Sequence, residues 1–235
     1  MAGAKTGING QINNNIVTDG LVFYINPAYK KSYPRSGTTV TDIIGNTTGT
    51  LSGAGGGNNT PQFQNTNGGI LDFDGTDDRI NIQDGTSGPY NNLGANTTCN
   101  IWVNFDSTGP GTLVGGSDYS SGGYFFYASI SSAYSSYMGS YDQGTWSGTF
   151  SVGEWINYCV TKNDSGNVVW YGNGQQLDTG TVNANANIGF WSIGAYIGGT
   201  VAFNGQMGPV QIYTRALSAN EVLQNYQAQK ERFGL

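Results

Sequence analysis

The sequence predicts an all-β fold, a two-sheet antiparallel sandwich with one short C-terminal helix. Three observations carry this expectation. Apolar and polar residues alternate in short runs bounded by Gly, Asn or Asp along most of the chain, the period expected of half-buried strands. Charged residues make up only 10% of the 235 residues while Gly numbers 38, so the surface is built from turns rich in Gly, Asn, Ser and Thr. Aromatic residues reach 13%, which supplies the buried apolar area that a disordered chain of similar polarity lacks. A chain of this length can bury one sizeable sandwich core.

Residues 1–18 are polar and Asn-rich, with isolated Ile8, Ile12, Ile16 and Val17; they read as an N-terminal arm before a single domain over 19–235. Such an arm gains little burial alone. It is expected to dock on another protein by adding a strand to a sheet edge, or else to pack on its own domain or swap between protomers. Leu21, Phe23 and Ile25 give one face of a first strand. The run TLSGAGGGNNT at 50–60 reads as a flexible surface loop. Leu71 and Phe73, then Ile80 and Ile82, form a strand pair separated by the turn DGTDD.

Ile101, Val103 and Phe105 share a face opposite Trp102. Cys99 and Cys159 fall in two strands and are expected as buried free thiols rather than a disulfide. Val168 and Trp170 alternate with Val169 and Tyr171, which predicts a strand covered on both sides. Asn173-Gly174 suits a type I′ hairpin turn, where both residues need positive φ. Pro209 marks an edge or a bulge in the last strand.

The helix has a well-marked start. Ser218 and Glu221 have capping-box spacing, and Leu217 and Val222 flank them as a hydrophobic staple. Leu223, Tyr226, Lys230 and Phe233 recur at helical spacing, with Gly234 as the stop. The Lys230 stem is expected to lie along this stripe with its charge in water.

The stretch FNGQMGPVQIYTRALSANEVLQNY (203–226) resembles the closing strand and helix of laminin-G-like, concanavalin A-like jelly rolls. Earlier segments match in order: DGLVFYINPAYKKSYPRSGTTVTDIIGN, GGILDFDGTDDRINI, TTCNIWVNF, GEWINYCVTK and VVWYGNGQQL. The resemblance covers about residues 19–235 and implies a jelly-roll sandwich. The SYP segment together with the final NYQAQKERFGL is most similar to versions found in tailed-phage structural proteins. That resemblance implies a virion component, such as a capsid-decoration or appendage protein, whose partner is a capsid or other virion protein.

Several function classes fall away. A net charge of −6 argues against nucleic-acid binding, which rests on Lys and Arg neutralising phosphates. No apolar stretch is long enough to span a bilayer, and MAGAKTGINGQINNNIVTDG lacks the apolar core of an export signal; the chain is expected to be made in a host cytoplasm and to reside in the virion. With no His, a Ser-His-Asp or Cys-His arrangement is excluded, as is an ordinary zinc site. Sandwich hydrolases of the resembled superfamily present carboxylates as Glu-x-Asp-x-x-Glu or a related pattern, flanking the substrate. The only Glu residues here are Glu154, Glu221 and Glu231, which cannot assemble that pattern, although an Asp pair stays formally open. The expectation is a protein that is not an enzyme.

Two candidate sites remain. Asp74, Asp77 and Asp78 form an acidic cluster suited to calcium, which takes several oxygen ligands from a short loop; the competing reading, and the favoured one, gives these carboxylates to the turn itself through Asx hydrogen bonds. Asp72 is expected to diverge from them if LDFD is a strand, because alternate residues face opposite ways. Tyr124, Tyr127, Tyr134, Tyr137 and Tyr141 form a ligand surface where ring faces can stack on the C–H groups of a glycan. The alternative is cross-strand packing or a protein interface. A freestanding carbohydrate-binding lectin is the second reading of the chain and a glycoside hydrolase the third. Oligomeric state, including a homo-oligomer, stays open.

Overall fold

Strand period and turn chemistry produce two eight-stranded antiparallel sheets in the computed structural model, which describes residues 15–45, 47–53, 59–82, 90, 93–116, 124–137, 140–146, 150–184, 189–196 and 201–235. The strands, in chain order, are β1 (Leu21–Ile25), β2 (Thr39–Thr41), β3 (Thr48–Ser52), β4 (Gln62–Gln64), β5 (Ile70–Asp74) and β6 (Arg79–Asn81). Then come β7 (Thr97–Phe105), β8 (Gly111–Gly116), β9 (Tyr124–Ala128), β10 (Ser132–Tyr137) and β11 (Ser140–Thr145). The last are β12 (Trp155–Lys162), β13 (Asn167–Gly172), β14 (Gln175–Thr181), β15 (Phe190–Ile193) and β16 (Asn204–Tyr213), followed by helix α1 (Ala219–Gln229) and a 3-10 turn (Lys230–Phe233). One sheet runs β14-β13-β12-β7-β16-β5-β4, with β1 also on β16; the other runs β11-β10-β9-β8-β15-β6-β3-β2.

The first sheet is covered on both faces, so its central strands are apolar on both parities. All nine residues of β7 are buried. Cys99, Ile101, Val103 and Phe105 enter the core between the sheets, while Trp102 turns outward to pack with Ile70 and Phe233 beneath the C-terminal segment. The same division holds in β13. Val168 and Trp170 face the inter-sheet core; Tyr171, with Val169 beside it, joins Cys159, Tyr213, Leu217 and Val222 on the outer face. Cys99 and Cys159 thus lie on opposite faces of adjacent strands, which keeps both thiols buried, free and, through desolvation, hard to ionise.

Pro209 lies where β16 exchanges partners. Residues Asn204–Met207 pair with β5 and Val210–Tyr213 with β1, and the register against β7 shifts between Met207 and Val210. The irregularity spares the ladder the N–H that proline lacks. Another shift, between Leu21 and Phe23, moves Leu21 to the outer face while Phe23 and Ile25 stay in the core; the single face expected for all three is therefore split. Asn173 and Gly174 take φ of 51° and 77° at the β13–β14 turn, as the hairpin requires.

The expected β5–β6 pairing is not what forms. The turn DGTDD carries the chain from one sheet to the other, where β6 pairs with β3 and β15. Nor is all of 50–60 loop. Thr50–Ser52 complete β3 against β6, while residues 54–58 lie outside the described residues.

Helix α1 starts as its sequence requires: Ser218 N–H donates to Glu221 Oε2 (2.8 Å) and Glu221 N–H to Ser218 Oγ (3.4 Å). Its buried stripe is Val222, Asn225, Gln229 and Phe233 rather than Leu223, Tyr226 and Lys230, which are half-buried. Two amides can occupy that stripe because the oxygen and the nitrogen of each are hydrogen-bonded. Asn225 Oδ1 accepts from Val17 N–H (2.8 Å) and its Nδ2 donates to Tyr213 Oη (3.0 Å); Gln229 Oε1 accepts from Trp102 Nε1 (2.8 Å) and its Nε2 donates to Tyr24 Oη (3.3 Å). Val17 and Ile16 are buried beside the helix, so the end of the arm, from Asn15, packs on its own domain. Residues 1–14 lie outside the described residues.

Candidate functional site

The tyrosine candidates lie on the three strands that end the second sheet, β9, β10 and β11. Register places Tyr127 opposite Thr112 of β8 and Tyr134 of β10, and Tyr134 opposite Gln143 of β11. Directly paired residues on antiparallel strands share a face, so Thr112, Tyr127, Tyr134 and Gln143 form one row across four strands. Tyr127 is half-buried and Gln143 exposed. Tyr124 pairs with Gly115 across an irregular stretch of β9, Tyr137 with Ser140, and Tyr141 with Ser136. The side chains of Tyr124, Tyr134, Tyr137 and Tyr141 lie outside the described residues.

The backing of this row is rigid. Phe126, Ala128 and Ala133 are fully buried on the opposite face. Below them Tyr158 packs edge-on against Phe126 and Phe150, and its hydroxyl donates to Ser129 O (2.8 Å) at the β9–β10 turn. Ser129 Oγ in turn accepts from Ser131 N–H (3.2 Å) and Ser132 N–H (3.1 Å). No local spacing in the sequence marks this serine hub.

Carboxylates flank the row, and both bind backbone amides. Asp142 of β11 accepts from Thr181 N–H (2.6 Å) and Gln143 N–H (2.8 Å); Asp178 of β14 accepts from Thr145 N–H (2.9 Å) and Thr179 N–H (2.8 Å). Each aspartate thereby reaches from one sheet to the backbone of the other. The two staple the sheet edges together where no main-chain ladder joins them. All four oxygens here accept backbone N–H groups. Close approach at the staple requires small residues: a Cβ at Gly180 would lie 2.2 Å from Asp142 Oδ2, and one at Gly144 would lie 2.7 Å from the Trp170 ring.

The acidic candidates come together at the β5–β6 turn, three strands from β9 in sheet order. One carboxylate oxygen from each of Asp74, Asp77 and Asp78 lies within 4.8 Å of the others. The turn uses some of this capacity: Asp74 Oδ1 accepts from Thr76 N–H (2.8 Å) and Asp77 N–H (3.4 Å), and Asp78 Oδ2 accepts from Asp74 N–H (3.0 Å). Asp78 is 3% exposed, and its Oδ1 has no hydrogen-bond partner among the described residues. Burial first, then the neighbouring carboxylates of Asp74, Asp77 and Asp72, raises its pKa from 3.8 to about 6. Asp72 stays outside the group. It shares strand parity with Asp74, so the cause is not strand alternation; its Oδ2 is engaged by Gln64 Nε2 (2.6 Å) on β4.

The same architecture recurs in solved structures of low sequence identity. Domain 4 of AbnA, a GH43 extracellular arabinanase from Geobacillus stearothermophilus solved with arabinotriose, superposes with a TM-score of 0.64 at 19% identity, over 88% of this chain and 98% of that one. The botulinum neurotoxin serotype G binding domain gives 0.63 at 14% identity, over 89% of this chain and 51% of that one. Trypanosoma rangeli sialidase gives 0.60 at 16% identity over 92% of this chain; the chain spans 34% of the sialidase, about a third of its length. No curated protein matches the sequence. Residues 74–223, which run from the aspartate turn to the first turn of α1, match the Laminin_G_3 family. With that match spanning more than half of a two-sheet sandwich, the chain belongs to the concanavalin A-like lectin/glucanases superfamily.

Proposed function

We propose that the protein is a non-catalytic, lectin-like binding module that contacts glycans through the tyrosine row of β9–β11 and serves as a decoration or appendage protein of a phage particle. The observation that carries the binding reading is the Tyr127–Tyr134 cross-strand pair on the last strands of the second sheet, backed by a packed aromatic layer and bordered by the exposed Gln143. Aromatic faces set on a rigid strand lose little entropy when a sugar ring stacks on them. Relatives in fold point the same way: one was solved with arabinotriose, and another is a toxin's binding domain. The non-catalytic reading rests on the absence of His and on three Glu residues, Glu154, Glu221 and Glu231, that cannot assemble a Glu-x-Asp-x-x-Glu pattern. The virion setting rests on the similarity of the SYP segment and the closing NYQAQKERFGL to phage structural proteins.

A glycan array probed with the full chain and with Tyr127→Ala tests the binding site, and a reducing-end assay on every bound polysaccharide tests catalysis. Binding lost in the variant, with no new reducing ends, is the expected result. Undiminished binding by Tyr127→Ala would remove the tyrosine row from consideration; release of reducing ends would overturn the non-catalytic reading. The virion setting is tested by mass spectrometry of purified particles carrying the gene, where absence of the chain refutes it.

A further inference from the structure

We infer that the face built from the β1–β2 connection, the β4–β5 turn and the C-terminal segment is a docking surface for an acidic segment of a partner protein. The chain carries nine Lys and Arg against fifteen Asp and Glu. Residues 26–38, 62–69 and 230–235 nevertheless hold five of the nine cations, Lys30, Lys31, Arg35, Lys230 and Arg232, and a single acid, Glu231. Folding brings these three segments together. Arg232 Nη1 donates to Asn26 Oδ1 (2.8 Å), its Nη2 to Gly69 O (2.6 Å) and its Nε to Asn67 O. A Cβ at Gly68 would lie 3.7 Å from both Ala28 Cβ and Arg232 Nε. Lys30 and Lys31 are exposed on the turns that follow Ala28, where Tyr29 N–H donates to Asn26 O (2.9 Å) and Tyr33 N–H to Tyr29 O (2.9 Å). Arg35 is exposed as well; it donates to Asn65 Oδ1 (3.4 Å), and its Cζ lies 5.4 Å from the Phe63 ring centroid.

None of these five cations has a carboxylate partner among the described residues, where the ion pairs are those of Arg215 with Asp19 and Glu221. Gathered like charges repel one another, and an acidic partner relieves that repulsion. Arg232 is held by the oxygens of Asn26, Asn67 and Gly69 and adds its field; Lys30, Lys31 and Arg35 supply the exposed contacts. The surroundings select among anions. A nucleic acid or an anionic bilayer extends beyond the patch and meets a chain of net charge −6, which repels it over a Debye length of about 8 Å. A short acidic segment is contained within the patch. Sugars fit poorly, because the rings here already carry neighbours. Tyr226 stacks on Trp102 at 5.9 Å with Lys230 Nζ 5.8 Å from its centroid, and Phe63 meets Arg35 and, at 5.7 Å, Tyr33. A guanidinium lying over a ring keeps its edge donors for carboxylates, and Arg beside aromatic rings is the composition enriched at protein interfaces. The β4–β5 turn belongs to the first sheet and the tyrosine row to the second, so this surface does not depend on the glycan site.

The test is fluorescence anisotropy of a labelled oligoglutamate peptide titrated with the full chain, at ionic strengths of about 0.01 M and about 0.15 M. Binding is expected at the lower strength and weakens at the higher. Lys30→Gln/Lys31→Gln removes two exposed charges from the patch, and the affinity at low salt falls about tenfold or more. Arg35→Gln, on the Phe63 side of the patch, lowers it in the same direction. Thr108→Glu/Ser165→Glu changes the net charge by the same amount at exposed positions outside the patch, and its affinity stays within about threefold of the parent. Thermal unfolding checks that each variant is folded. Competition with an oligouronate, with single-stranded DNA and with phosphatidylserine vesicles, matched in charge to the peptide, identifies the class of anion. No binding of oligoglutamate at low salt, equal loss in the patch variant and in Thr108→Glu/Ser165→Glu, or tighter binding of any of the three competitors overturns the inference.

Discussion

Replacing Phe233 by Ala removes a ring that is only 6% exposed and lies 4.2 Å, centroid to centroid, from the Trp102 ring at 15°, with Trp155 at 4.5 Å on another side. Phe→Ala in a core costs about 3–5 kcal/mol, and each lost aromatic contact adds about 0.5–1.5 kcal/mol beyond area. Collapse cannot recover much of this. The ring rests on Gly208, where even a Cβ would approach it to 2.8 Å, so one wall of the vacated space is backbone held in the sheet. The upper part of the range is therefore expected, about 4–5 kcal/mol. An unfolding entropy of about 2.1 cal/mol/K per residue over the 235 residues gives roughly 0.5 kcal/mol/K, so Tm should fall by about 8–10 °C. Thermal unfolding followed by near-UV circular dichroism reads both the midpoint and the loss of the Trp102 stack. A fall of less than about 2 °C would show that the C-terminal segment does not share the cooperative core.

Two further outcomes follow from buried and bridging charges. Glu221 is held down to about 2 from 4.5, first by Arg215 at 2.5 Å and also by Ser218. A depressed carboxylate pKa contributes stability above the unfolded value that is lost as pH falls through the folded one, so Tm should drop between about pH 4.5 and 2. Screening of this partly exposed pair limits the effect to about 1–2 kcal/mol. Glu221→Gln should remove that portion of the acid slope, and an identical slope in the variant refutes the assignment. Asp42 is fully buried and accepts from the N–H groups of Tyr24, Ile44 and Gly45 and from the Tyr90 hydroxyl, at 2.7–2.9 Å. In Asp42→Asn an NH₂ must face donors, costing at least about 2 kcal/mol; a change in urea midpoint too small for 1 kcal/mol would show that the loop repacks at little cost.

The helix start and the two-sided strands were legible because each depends on residues a few positions apart: Ser218 with Glu221, or Val168 with Val169. The helix's inward stripe was not. Asn225 and Gln229 resemble solvent-facing residues until Tyr213, Trp102, Tyr24 and Val17 are brought to them by the fold, and no local pattern encodes partners as far as 208 positions away. The β5–β6 assignment failed for the same reason. Alternation identifies a strand but not which sheet completes its ladder. At the candidate sites, composition singled out the tyrosines and the aspartates. The orphaned oxygen of Asp78 and the cross-sheet role of Asp142 and Asp178 depend on burial and distance, which spacing does not contain.

The bond from Val17 N–H to Asn225 has a consequence for synthesis on the ribosome. Residues 16 and 17 emerge early, yet the surface that buries them is made by Tyr213 of β16 and by α1, which emerge more than 190 residues later. Contacts of such separation form late and slowly. Until then Trp102, Tyr171 and Cys159 have no cover on their outer face, and the nascent chain presents a broad apolar surface to chaperones or to other unfinished chains. Helix α1 and Phe233 thus act as a latch: a translation product interrupted before them would keep most of its strands but leave that outer face adhesive.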